Sequence, residues 1–88
     1  MTSQIPNDPE TLGLHALAAT VGDPRRAERL LATTGLAPDD LRHRASDRAT
    51  LSAVLSFLEA HEPDLIAVAG EIGVTPERLV MVREVLER

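Results

Sequence analysis

A chain of 88 residues has room for one compact domain and not two, because a single core ordinarily serves on the order of 100–200 residues. Hydrophobic residues at 43% and charged residues at 26% exclude the apolar-poor pattern of disorder, and the absence of cysteine excludes disulfides, thiolate nucleophiles and cysteine metal sites and fits a reducing compartment. A formal net charge of −5 sets the chain as a whole against nucleic acid and anionic lipid.

Residues 1–8 hold neither a positive charge nor an apolar run, so they read as a disordered N-terminal segment rather than a secretion signal, ahead of a helical domain over 9–88. The longest apolar stretch, Leu65 to Ala69, is far short of the roughly 20 residues of a membrane span. A cytoplasmic protein without membrane contact is expected.

From Asp8 onward, proline and glycine cut the chain into short helices. Asp8 is placed to cap a first helix that opens at Pro9, where the missing N–H costs nothing, and runs to about Val21 before Gly22. Asp23 and Pro24 repeat that start for a second helix carrying Ala27, Leu30 and Leu31 and stopping at Gly35. Pro38, Asp39 and Asp40 open a third, with two carboxylates at the positive end of the helix dipole offsetting a poor cap at Ala37; it is expected to end near Ser46.

Asp47 caps a fourth helix with the clearest period, Leu51, Val54, Leu55 and Leu58 at i, i+3, i+4 and i+7. Phe57, the one aromatic in the chain, flanks that stripe as an expected core anchor. A fifth helix starts at Pro63, lines up Leu65, Val68, Ala69 and Ile72, and closes at Gly73, with Gly70 inside it as either a small-residue contact or a weak point. Thr75 and Pro76 start the sixth, with Leu79, Val82 and Leu86 inward. Its valines make a strand over 79–83 the competing reading, which the cap and the charged residues beyond it disfavour.

The expected fold is therefore an all-α, irregular bundle of five to six short helices. The segments Gly35-Leu36-Ala37-Pro38-Asp39-Asp40-Leu41 and Gly73-Val74-Thr75-Pro76-Glu77-Arg78-Leu79 share one plan, and Asp23-Pro24 matches Glu62-Pro63. Two readings stay open: a duplicated three-helix unit, or the recurrence of ordinary helix-end chemistry.

The functional signals are sparse. Gly-centred corners resemble a helix-turn-helix, in which Arg25, Arg26, Arg29, Arg42, Arg44 and Arg48 would be the nucleic-acid contacts; Asp39 and Asp40 at the start of the third helix oppose that alternative. His15, His43 and His61 fall on different helices without an i, i+4 pairing, and no nucleophile elbow or phosphate loop appears, so no catalytic residue, metal ligand or cofactor is assigned. The last helix carries a wider apolar arc than one contact requires. Val80, Met81 and Val85 form a candidate partner surface, for another protein or a second copy of the chain, unless neighbours clasp the helix on both sides.

Thr34-Gly35-Leu36 followed by Pro38-Asp39-Asp40-Leu41-Arg42, then Ala53-Val54-Leu55 with Phe57-Leu58, resembles the signature of a small bacterial family classed as a domain of unknown function. The resemblance runs from about Leu14 to Leu86, with aliphatic residues where the family carries some aromatics. It implies a compact helical protein of a bacterial cytoplasm and supplies neither a catalytic residue nor a ligand.

Overall fold

Helix ends in this protein are set by a few side chains that satisfy the orphan amides of a first turn. In the computed structural model, which describes residues 8–88, Asp8 accepts from the Thr11 amide at 2.9 Å and opens α1 (Pro9–Val21). Asp23 accepts from Arg25 and Arg26 at 2.8 and 3.2 Å and opens α2 (Pro24–Thr34). Asp47 does the same through Thr50 for α4 (Arg48–Ala60), and Thr75 through Arg78 for α6 (Pro76–Leu86). The expectation for residues 1–8 lies outside the described residues, apart from Asp8.

Gly35 and Gly73 end α2 and α5 (Glu62–Ile72) with φ of 76° and 80°, a left-handed conformation that side chains resist. Three residues beyond each glycine, Pro38 and Pro76 open the next helices. The segment over 79–83, where a strand competed on propensity, lies wholly within α6. Burying Leu79, Val82 and Leu86 on one side outweighs the preference of single valines.

Helix α3 (Pro38–His43) is shorter than expected, ending at His43 instead of near Ser46. Arg44 leaves helical geometry at φ −115°, its amide still bonded to the Asp40 carbonyl, and the Asp47 amide turns back onto Arg44 O at 2.9 Å. Freed from α3, Asp47 takes the extended conformation that capping α4 demands. Ala37 holds the cap position with no side-chain acceptor, although its own amide donates to the Asp40 carboxylate at 2.9 Å. Half a capping box is present. Ala37→Ser supplies the other half on an exposed residue already extended, and is expected to stabilise by about 1 kcal/mol in urea unfolding.

The core is aliphatic and centred on α4, whose Leu51, Val54, Leu55 and Leu58 are fully buried. Helices α1 and α6 close on α4 to form a three-helix centre, α5 lies across all three, and α2 rests on α1 and α4. Phe57 is buried, its ring 4.5 Å from that of His61. By contrast, α3 is held mainly by one inward residue, Leu41.

Gly70 resolves as the weak point of α5, because a methyl group there would meet nothing within 4 Å. Gly70→Ala is expected to raise stability by about 0.5–1 kcal/mol through the lower entropy of the unfolded chain, read as a higher Tm.

Candidate functional site

Among the described residues, four large hydrophobic side chains stay substantially exposed: Leu14 (43%), Val21 (41%), Ile66 (54%) and Met81 (57%). Two of them belong to one feature. Leu14, Leu17, Ala18 and Val21 recur at i, i+3, i+4 and i+7 along one face of α1, and with Ala27 and Leu31 of α2 and Pro38, Leu41 and Arg42 of α3 they line a groove of about 460 Å³. Among the described residues, Arg42 is the sole charged one in that lining. Among the described residues its guanidinium pairs with Asp39 on the same helix, at 3.3 Å, and both side chains are largely solvated, an arrangement worth little to stability.

The residues proposed on the last helix are divided. Met81 projects into solvent, whereas Val80 and Val85 are half-buried. Met81 and Val85 share a smaller recess of about 210 Å³ with Pro9, Arg78 and Val82, and Val80 is not part of it.

The six arginines of the nucleic-acid alternative do not form a common patch of free charge. Arg26 reaches across to Glu71 at 2.6 Å and to the Ala19 carbonyl; Arg29 forks onto Asp64 at 2.7 Å. Arg48 bridges Glu10 and the carbonyl of Val85, tying α4 to α1 and α6. Arg42 holds Asp39, leaving Arg25 and Arg44 exposed and outside any ion pair among the described residues. The bridges of Arg26, Arg29 and Arg48 join helices, which is a structural use of arginine. A similar clasp pins α6 to α4: Arg83 pairs with Glu59 and with Glu87, and Glu87 accepts from the Ser52 hydroxyl at 2.9 Å.

Carboxylates at helix starts and in these bridges give the fold a pH dependence of defined sign. Backbone donation from Thr11 holds Asp8 below the ordinary aspartate value of 3.8, and donation from Arg26 and Arg25 does the same for Asp23. The Arg26 hydrogen bond lowers Glu71 from 4.5. A carboxylate more acidic in the folded chain than in the unfolded one stabilises above the unfolded value, and that contribution is lost as pH falls through the folded one. Urea midpoints are therefore expected to hold above that 3.8–4.5 range and to fall progressively below it. Asp23→Asn is expected to flatten this acid limb.

His15 lies on α1, His43 on α3 with its Nδ1 at the Asp39 carbonyl, and His61 at the α4–α5 joint with its Nδ1 at the Phe57 carbonyl. Among the described residues no group of three or more histidines and carboxylates gathers as a metal ion would need, and no helix is long and apolar enough to cross a membrane.

Among the described residues the protein is all-helical, with an apolar groove where α1, α2 and α3 meet. The chain belongs to the family described as Protein of unknown function (DUF3572), whose family model matches residues 6–88. Comparison with curated proteins and with solved structures yields no match.

Proposed function

We propose that this chain is a non-enzymatic protein–protein interaction module of a bacterial cytoplasm. The observation that carries the reading is the α1–α2–α3 groove, where Leu14 and Val21 stay exposed beside a lining that is apolar apart from Arg42. The surface of the C-terminal helix around Met81 is a second docking position, supported by that methionine's exposure and the recess beside it. The helix-turn-helix alternative draws less support, because Arg26, Arg29 and Arg48 are engaged by carboxylates of other helices and the net charge is −5.

The test places a photo-crosslinking residue at Leu14 in one variant and at Met81 in another, in cells producing the protein. A discrete adduct is expected at Leu14, lost when Val21→Glu is added while the helical circular dichroism is retained. Absence of any adduct at both positions, with a chain that stays monomeric by light scattering at high concentration, would overturn the reading.

A further inference from the structure

The two halves of the chain match in their first two helices and part at the third. Helices α1 and α4 both have 13 residues and α2 and α5 both have 11, but α6 has 11 residues where α3 has only 6. In the second half the long third helix packs mainly on α4 and α1, with a smaller contact on α5, and buries Leu79, Val82 and Leu86. In the first half the short one offers Pro38 and Leu41 and stops, leaving the face of α1 that carries Leu14 and Val21 uncovered. Helix α3 borders the groove only through Pro38, Leu41 and Arg42.

Resting on the interaction reading above, we propose that the groove takes an amphipathic helical segment of a partner protein, with an apolar stripe against α1 and α2 and a carboxylate facing Arg42. The i, i+3, i+4, i+7 spacing on α1 is the pattern by which one helix receives another. The charge preference comes from Arg42, which lines the groove and whose ion pair among the described residues is a solvated one with Asp39 that a partner carboxylate can displace at little loss. A basic helix would meet that guanidinium directly. Burying Leu14 and Val21 supplies the affinity, and the charge selects among helices that all carry the stripe.

The experiment titrates the isotope-labelled full chain with two stapled helical peptides that share one leucine stripe, one flanked by glutamate and the other by lysine, following amide shifts by NMR. The acidic peptide is expected to shift Leu14, Val21 and Leu31 and to bind about fivefold more tightly than the basic one, with Arg42→Glu reversing the order. Leu14→Glu should weaken both. Equal binding of the two peptides would overturn the acidic partner while leaving an interaction module intact. Shifts confined to the Met81 recess, or groove shifts produced by raising the protein concentration alone or by dodecanoate but by neither peptide, would overturn the helical partner. Loss of the cellular Leu14 adduct as well would remove the interaction reading on which it rests.

Discussion

Phe57→Ala is expected to lower the unfolding free energy by about 3–5 kcal/mol, the largest effect of any single truncation in this chain. The ring is the one aromatic side chain in the sequence and is 3% exposed, in a core otherwise made of leucine, valine and alanine. Removing it deletes the transfer free energy of the ring and leaves a void that short aliphatic neighbours are poorly shaped to fill. It also takes away the face on which the His61 imidazole lies, at a ring separation of 4.5 Å. Domains of this size are stable by roughly 5–15 kcal/mol, so the variant should be marginal at room temperature. The check is urea unfolding followed by circular dichroism. Phe57→Leu should cost clearly less because most of the volume is kept, and the exposed neighbour Ser56→Ala should lie within about 0.5 kcal/mol of the parent. A Phe57→Ala loss no larger than that of Ser56→Ala would mean the ring is not an anchor.

Local rules carried the reading of the helices a long way. Asp8, Asp23, Asp47 and Thr75 all cap the helices whose starts they marked, because capping depends on residues three positions apart. The same holds for Gly35 and Gly73, and for the inward stripes of α4 and α6. The end of α3 was less legible, since the stretch from Arg44 to Ser46 has no proline or glycine, and what stops the helix is the demand of the next cap at Asp47. The arginine bridges lay beyond local pattern altogether: Arg26 meets Glu71 across 45 positions and Arg29 meets Asp64 across 35.

The groove was hidden for a related reason. Helix α1 carries Leu12, Leu14, Ala16, Leu17, Ala18, Ala19 and Val21 around much of its circumference, so its period does not say which face meets solvent. Leu12, Ala16 and Leu17 are buried in the structure whereas Leu14 and Val21 are not, a division decided by where α4, α6 and the truncated α3 lie. The signal that bears on it in the sequence is the shortness of the segment between Pro38 and the cap at Asp47, compared with the uninterrupted run after Pro76. The apolar arc of α6, by contrast, was visible as a pattern, but half-burial of Val80 and Val85 depends on the surrounding packing.

Gly13→Leu is the second substitution with a large expected cost, about 3 kcal/mol, and it tests the centre of the bundle from the other direction, by adding volume. Gly13 is buried in the middle of α1, where a helix ordinarily disfavours glycine by about 1 kcal/mol relative to alanine. The structural reason for it is proximity: a methyl group built there would lie 3.3 Å from Leu51 Cβ and 3.4 Å from both Leu51 Cδ1 and Leu86 Cδ1. Three helices therefore converge on a hydrogen atom. Alanine gains helix propensity and spends it on that tight contact, so Gly13→Ala should change stability by less than about 1 kcal/mol in either direction. Leucine adds three further carbons that have no space unless α1 moves away from α4 and α6, uncovering residues that are now fully buried. Unfolding midpoints of the two variants, set beside Gly70→Ala in the open part of α5, separate packing from propensity: propensity alone predicts a gain for all three, whereas close approach of α1, α4 and α6 predicts a large loss for Gly13→Leu, little change for Gly13→Ala and a gain for Gly70→Ala.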